Sequence, residues 1–110
     1  MKEYRPIVIR LRGYPDIRIK SASAGAYHTC LLAENGLVFS TGLNDEGQLG
    51  LDNKGNNVSW PEVIESIKDE TIKHICCSRY SSALNHRGEF FAWGHFNGKD
   101  ITSPMKPDCT

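Results

Sequence analysis

His28 is the residue of this sequence best suited to acid–base chemistry, and it lies between two hydroxyl-bearing residues, Tyr27 and Thr29. An imidazole titrates near neutral pH, so it can act as a general base when a carboxylate orients it beside a substrate. No aspartate or glutamate nearby in the sequence clearly supplies that carboxylate. We therefore predict that His28 joins one strand or loop to the next through hydrogen bonds, and we predict no catalytic residue in the chain.

Four cysteines raise the question of a metal site or of disulfide bonds: Cys30, Cys76, Cys77 and Cys109. Consecutive residues of a β-strand point to opposite faces, so Cys76 and Cys77 cannot easily hold one metal ion together. The C-x-x-C spacing of structural zinc sites does not occur either. We therefore predict free thiols that act as small buried apolar groups, with no metal and no cofactor.

Two loop segments carry groups that bind ions in other proteins. The run Asn44-Asp45-Glu46-Gly47 offers oxygen atoms, but it lacks the spacing of a calcium loop and an acidic residue at the twelfth position. The run Gly47-Gln48-Leu49-Gly50 is not followed by the Lys-Ser or Lys-Thr pair of a phosphate-binding loop. We predict glycine turns at both places.

Aromatic residues at strand spacing are predicted to fill a core and not to stack on a ligand; they are Trp60, Phe90, Phe91 and Trp93.

The charge of the chain argues against a nucleic acid as its main partner. The sequence has 13 basic and 13 acidic residues and a formal net charge of zero, whereas phosphate binding needs a basic surplus or a basic face. The N-terminus does not fit a secretory signal peptide, and no apolar run approaches the roughly 20 residues of a membrane helix. These features predict a protein that works inside the cell, in the cytoplasm or the nucleus.

Short β-strands must position all of these residues. Residues 6–11, 17–24, 27–34 and 37–41 are rich in β-branched or alternating apolar side chains, and turn residues separate them. Asn35-Gly36 between two of these strands is typical of a hairpin with a type I′ turn, in which both central residues have positive φ. Residues 43–60 are rich in Asn, Asp, Gly and Ser, which predicts one long connection.

The pattern of strands returns in the second half of the chain, which indicates a repeat architecture. The spacing of the matching residues requires one residue to be lost between Tyr80 and Gly88. We predict repeat one over residues 6–60, repeat two over 61–103, and a further repeat or a tail over 104–110. His74, His86 and His95 have no histidine counterparts in repeat one and are predicted to be incidental. The matching pairs are Pro6 and Pro61, Tyr27 and Tyr80, His28 and Ser81, Gly36 and Gly88, and Gly42 and Gly94.

The segments Gly25-Ala26-Tyr27-His28-Thr29 and above all Gly47-Gln48-Leu49-Gly50 resemble the repeat of the regulator of chromosome condensation family. The resemblance covers nearly the whole of residues 6–94, although the second repeat has Ser78 for the first glycine and lacks Gly-Gln-Leu-Gly. Repeats of this family build a seven-bladed β-propeller with four-stranded antiparallel blades. The resemblance therefore implies an all-β fold in which residues 1–110 form one partial propeller domain of about two blades.

The same resemblance implies a non-enzymatic protein-interaction module, either a fragment or a short member of the family. Asn44, Asp45 and Glu46 are the residues of the loop that we expect to face a partner. The alternative is part of a guanine-nucleotide exchange factor for a Ran-like small GTPase, the activity of the family's founding members. Further propeller repeats or self-association would cover the open blade faces. The residues expected to maintain the repeat are Gly25, His28, Gly36, Gly42, Gly47, Gln48, Leu49, Gly50, Gly88, Trp93 and Gly94.

Overall fold

The computed structural model describes residues 13–14, 17–96 and 98–106, which fold into β-strands and one short 3-10 helix, Glu65–Ile67. The predicted strand over residues 6–11 and Cys109 lie outside these described residues. Within them, no helix is long and apolar enough to cross a bilayer. The strands are β1 (Ile19–Ala24), β2 (His28–Ala33), β3 (Val38–Gly42), β4 (Val58–Val63), β5 (Ile72–Cys77), β6 (Tyr80–Asn85), β7 (Phe90–Phe96) and β8 (Lys99–Met105).

The strands form two sheets, and each sheet follows the order of the sequence. The pairing is antiparallel throughout, β1-β2-β3-β4 in one sheet and β5-β6-β7-β8 in the other. We call the sheet of residues 19–63 the first blade and the sheet of residues 72–105 the second blade. The predicted all-β class with four-stranded antiparallel sheets is confirmed.

The β2–β3 and β6–β7 hairpins share one turn, which is not the predicted type I′ turn. The Gly36 N–H donates to the Ala33 carbonyl (3.0 Å), and the Ala33 N–H donates to the Leu37 carbonyl (2.8 Å). Of the Asn-Gly pair, only Gly36 has a positive φ (90°), which is the geometry of a three-residue loop built on a type I turn. Gly88 repeats it by donating to the Asn85 carbonyl (3.1 Å). The predicted type I′ turn was wrong, because Asn-Gly also suits the last two positions of this longer loop.

The strand pairing places the lost residue one loop earlier than the sequence comparison did. His28 lies opposite Gly42 in the first blade, and Tyr80 lies opposite Gly94 in the second. Tyr80, and not Ser81, is therefore the structural match of His28. The loop between β5 and β6 has two residues where the loop between β1 and β2 has three. Because neighbouring strand residues face opposite ways, this correction puts Ser81 on the face that meets the first blade.

Most of the core lies between the two blades. A smaller cluster of Ile17, Ala33 and Phe39 covers the other face of the first blade. Trp60 and Phe90, predicted to be core residues, are instead 56% and 44% exposed. Trp60 lies on the edge strand β4, and Phe90 lies on the face of β7 that points away from the first blade. The buried cluster between the blades consists of Cys30, Leu32, Val38, Ile64, Ile67, Ile72, Cys77, Ala83, Phe91 and Trp93.

Candidate functional site

The long connection between β3 and β4, residues 43–57, is ordered around one buried side chain, and we call this segment the clasp. The Asn44 side-chain amide donates to Asn53 Oδ1 (2.7 Å), and Asn44 Oδ1 accepts from the Leu49 N–H (3.1 Å). The Asn44 backbone N–H donates to Asn57 Oδ1 (3.1 Å). Asn44 has no exposed surface, so its side chain serves the hydrogen bonds of the loop itself.

The Gly-Gln-Leu-Gly segment of the clasp packs against the second blade. The Gln48 carbonyl accepts hydrogen bonds from the Ser81 hydroxyl and from Trp93 Nε1, both at 3.0 Å. The Leu49 side chain is fully buried, and its carbonyl accepts from the Ser40 hydroxyl at 2.7 Å. The segment therefore joins the first blade to the second through backbone groups that any side-chain sequence would offer, provided that the loop follows this path.

The path of the chain at the glycines of the repeat motif is restricted, because a side chain at most of these positions would meet neighbouring atoms. Gly42 and Gly94 are approached closely by backbone atoms of their own blades, whereas a Cβ on Gly88 would meet nothing within 4 Å. At four other positions the two halves of the chain come too close for a side chain. A Cβ there would lie within 3.0 Å of a backbone or ring atom of the second half: Gly25, Gly36, Gly47 and Gly50.

Charged groups extend the contact between the clasp and the second blade. Lys54 Nζ lies 3.0 Å from Asp100 Oδ2, and His95 Nδ1 lies 2.6 Å from Asp100 Oδ1 and 3.5 Å from Glu46 Oε2. Hydrogen bonds from His95 and Lys54 lower the pKa of Asp100. The prediction that His95 is incidental was therefore wrong, since its ring bridges carboxylates of the clasp and of β8.

The loop that we expected to face a partner lies mostly against the protein. Asn44 is buried, Glu46 is half-buried beside His95, and Asp45 is exposed. The expectation for Asn44 is corrected, because its amide is used to hold the clasp together. Asp45 and part of Glu46 remain at the surface.

A pocket of about 400 Å³ opens where the β1–β2 loop, the β5–β6 loop and the clasp meet. Tyr27, which is 72% exposed, stands beside it together with Arg79 and Glu46. His28 and Gln48, both buried, also line it. We call this site the loop-edge pocket. It combines an exposed aromatic ring and two opposite charges with buried residues that are fixed by contacts between the blades.

A larger cleft of about 670 Å³ lies between the clasp and the segment after β4. Its charged lining residues are Asp52, Glu62, Glu65 and Lys68. None of its lining residues is aromatic, and its charged side chains are exposed. The loop-edge pocket is therefore the better candidate for a binding site.

His28 contacts a serine in an arrangement that resembles a nucleophile and its base, but the hydrogen bond of the serine to a carbonyl and its burial argue against that role. His28 Nε2 lies 2.7 Å from Ser81 Oγ, and the Ser81 hydroxyl donates its proton to the Gln48 carbonyl. The network is satisfied when His28 Nε2–H donates to Ser81 Oγ, and in that tautomer this nitrogen does not act as a base toward the serine. Ser81 also has no exposed surface. The pair joins the two blades.

Two cysteines lie close to the His28–Ser81 pair. The comparison of the two repeats in the sequence did not predict that these cysteines are neighbours. Cys30 on β2 and Cys77 on β5 are buried free thiols. Their sulfur atoms and a ring nitrogen of His28 lie within 4.8 Å of one another. A hydrogen bond from the Cys30 thiol lowers the pKa of Cys77, while this bond and burial raise the pKa of Cys30. Cys30 and Cys77 are far apart in sequence, so only the packing of adjacent blades reveals the cluster.

A second group of potential ligands consists of Glu46, His95 and Asp100, which also lie within 4.8 Å of one another. All three are only partly buried, and Lys54 already pairs with Asp100. Partly exposed acidic groups of this kind commonly occur without a metal ion. This cluster is accounted for by its ion pairs.

Models of the regulator of chromosome condensation (RCC1) repeat match residues 35–84 and 19–48 of the sequence. The chain is 36% identical over 90 residues to the human E3 ubiquitin-protein ligase HERC2. The aligned region covers 76% of this chain but 2% of the ligase. It is 30% identical over 95 residues to the mouse protein named Regulator of chromosome condensation, covering 80% of the chain and 22% of that protein.

The two blades also match a solved structure. They superpose on Prp20p from Saccharomyces cerevisiae with a TM-score of 0.75 and 20% identity, over 86% of this chain and 26% of that chain. The Prp20p structure is described together with the binding properties of that protein to Gsp1p and histones. The fold is therefore that of a β-propeller, and the chain spans about a quarter or less of each of these relatives.

Proposed function

The chain belongs to the regulator of chromosome condensation repeat family, and on that premise we propose that it is a non-enzymatic module that binds a protein partner at the loop-edge pocket. The observation that carries the proposal is Tyr27, a residue that is 72% exposed beside that pocket. Tyrosine and arginine are enriched among the residues that dominate protein–protein binding energies. Tyr27 and Arg79 supply one of each at the same site.

The buried part of the pocket is suited to binding because it is already fixed. His28 is held by Ser81 of the second blade, and the Gln48 carbonyl is held by two hydrogen bonds from that blade. A partner would therefore lose little binding free energy in ordering these residues. The rim carries Glu46 and Arg79, which have opposite charges, and this favours a protein surface of mixed charge over a nucleic acid.

We assign no enzymatic activity to the chain. The similarity to the ligase HERC2 covers 2% of that protein, so ligase activity is not transferred. The His28–Ser81 pair is buried, and its serine hydroxyl donates to the Gln48 carbonyl. This supports an interaction role.

The binding proposal is tested by affinity purification with the tagged 110-residue chain and quantitative mass spectrometry. The variants are Tyr27→Ala and Arg79→Ala. Phe90→Ala and Lys73→Ala are matched controls, because these exposed residues lie at the other ends of the strands. Loss of one anchor residue should weaken a specific partner's binding about tenfold or more.

We expect the same protein to be recovered with the wild type and with both controls, and to be depleted with both loop-edge variants. Equal recovery with Tyr27→Ala and Arg79→Ala would contradict the proposal. Equal depletion with the controls would also contradict it, because it would place the contact elsewhere.

The alternative of guanine-nucleotide exchange is supported by the similarity to the mouse Regulator of chromosome condensation and to Prp20p. We propose that the two blades bind without catalysing exchange, because they correspond to about a quarter of the Prp20p chain. Release of a fluorescent guanine nucleotide from a Ran-like GTPase should not be accelerated by the chain. Acceleration that depends on Tyr27 or Arg79 would favour the exchange activity instead.

Two further points remain part of the proposal. We propose that the repeats span residues 6–60 and 61–103; the boundary before Pro61 divides β4, the outer strand of the first blade, so each proposed repeat is offset from its blade. We also propose that the chain works in the cytoplasm or nucleus. The neighbouring free thiols of Cys30 and Cys77 suit such a reducing compartment.

A further inference from the structure

Three potential metal ligands meet between the blades, and the proposed binding function does not use them as ligands. His28 and Cys30 are two residues apart on β2, so their side chains lie on the same face of that strand. Cys77, the last residue of β5, faces them from the second blade. His28, Cys30 and Cys77 are 5%, 1% and 8% exposed, and their ligand atoms lie within 4.8 Å of one another.

We propose that His28, Cys30 and Cys77 form a zinc site that joins the two blades. Zinc in proteins prefers tetrahedral sites with cysteine sulfur at about 2.3 Å and histidine nitrogen at about 2.0–2.1 Å. In such a tetrahedron the ligand atoms are roughly 3.3–3.8 Å apart. Because the three ligand atoms lie within 4.8 Å of one another, binding of the ion requires side-chain shifts of about 1 Å at most.

An oxygen atom is present for the fourth position of the tetrahedron. Ser81 Oγ lies 2.7 Å from His28 Nε2 and 3.8 Å from Cys77 Sγ. A metal ion among the four atoms would replace the hydrogen bond between His28 and Ser81 with two coordination bonds. His28 also lines the loop-edge pocket, which gives the ion a path from solvent.

The charges of the site match those of the ion. Two thiolates and one neutral imidazole neutralise the divalent cation, so binding leaves no net charge in the buried space. Binding would release the two thiol protons to solvent. Sulfur and imidazole ligands suit zinc better than calcium or magnesium, which prefer oxygen.

The proposal is tested by titrating the reduced 110-residue chain, free of metal, with cobalt(II) and then with zinc(II). Cobalt bound by thiolates gives an intense charge-transfer absorption and the visible bands of tetrahedral coordination, and zinc should displace it. The variants are Cys30→Ser, Cys77→Ser and His28→Gln. The matched control is Cys76→Ser, because Cys76 neighbours Cys77 but is exposed on the opposite face.

We expect one cobalt ion per chain for the wild type and for Cys76→Ser. Affinity should fall about 100-fold or more in Cys30→Ser, Cys77→Ser and His28→Gln, because each removes a ligand and loss of an outer-shell partner alone costs about 10–100-fold. Circular dichroism shows whether each variant is folded. If a variant does not fold, the alkylation rates of the wild-type thiols with and without zinc replace it as the readout. Zinc should slow the alkylation of Cys30 and Cys77 beyond the protection that burial already gives them, and it should leave the rate at Cys76 unchanged.

Three results would overturn the proposal. The first is a reduced wild-type chain that shows no thiolate-to-cobalt absorption. The second is unchanged cobalt binding in a folded Cys77→Ser variant. The third is a loss of binding in Cys76→Ser equal to that in Cys77→Ser.

Discussion

The two blades have the same strand order and the same hairpin turn, but their third and fourth strands are joined differently. In the first blade the clasp, residues 43–57, joins β3 to β4 and contacts the second blade through Gln48, Gly50 and Lys54. In the second blade only two residues separate β7 from β8. So short a connection cannot reach from its own sheet to a neighbouring one. The structural role of the Gly-Gln-Leu-Gly segment is therefore to form the contact between the two blades.

The two blades also differ in how far the matching face of each one is covered. Val38 of β3 pairs with Leu32, and Phe90 of β7 pairs with Leu84, so Val38 and Phe90 occupy matching positions. Val38 is fully buried against the second blade, whereas Phe90 is 44% exposed. The blade that carries a clasp has its corresponding face covered, and the blade without one has it open.

The largest expected effect is at the centre of the contact between blades. Trp93 is fully buried and donates to the Gln48 carbonyl, so Trp93→Ala should lower the free energy of unfolding by about 3–5 kcal/mol. Phe90→Ala, on the open face, should cost about 1 kcal/mol or less. Guanidinium denaturation followed by circular dichroism measures both. Equal losses would show that the two faces do not differ energetically. If Trp93→Ala does not fold, Trp93→Phe preserves the comparison.

The next effect concerns the clasp itself. Asn44→Ala removes a buried amide and leaves the Leu49 N–H and Asn53 Oδ1 without their partner. The expected cost is about 2–3 kcal/mol of unfolding free energy, because the buried Leu49 N–H loses its hydrogen bond. Asn56→Ala is the matched control, since Asn56 is an exposed residue of the same loop. A loss no greater than that of the control would show that the clasp does not depend on Asn44.

Much of the fold could be predicted from the sequence because its signals are local. Alternating apolar residues and turn glycines predicted the strands, and Gly36, Gly42, Gly88 and Gly94 were matched correctly between the repeats. The match of Ser81 to His28 failed because a deletion within a short loop changes little in the residue pattern. It reverses every side chain of the strand that follows. Strand pairing is needed to detect that error.

The site was less predictable because it depends on contacts between blades. His28 was predicted to join neighbouring segments by hydrogen bonds, but nothing in the sequence identified Ser81 as its partner. Asn44 was expected to face a partner, whereas its side chain satisfies the buried backbone of its own loop. The Cys30–Cys77 contact was missed because a search for cysteine spacing along the chain cannot detect side chains on facing strands.

The smallest expected effect depends on pH and concerns the second blade. Leu37 of the first blade packs against an apolar cluster, whereas Glu89, at the matching position, pairs with Lys106. The hydrogen bond from Lys106, followed by that from Asn85, lowers the pKa of Glu89 from 4.5 to about 2. Because the pKa is lower in the folded state, the contribution of Glu89 to stability is complete above pH 4.5 and is lost as the pH falls toward 2.

The melting temperature of Glu89→Gln should therefore lie slightly below that of the wild type at neutral pH and coincide with it near pH 2. Glu62→Gln, an exposed carboxylate variant on β4, should show a smaller difference at neutral pH. A Glu89→Gln difference that stays constant across this range would show that the pair adds no stability to the second blade.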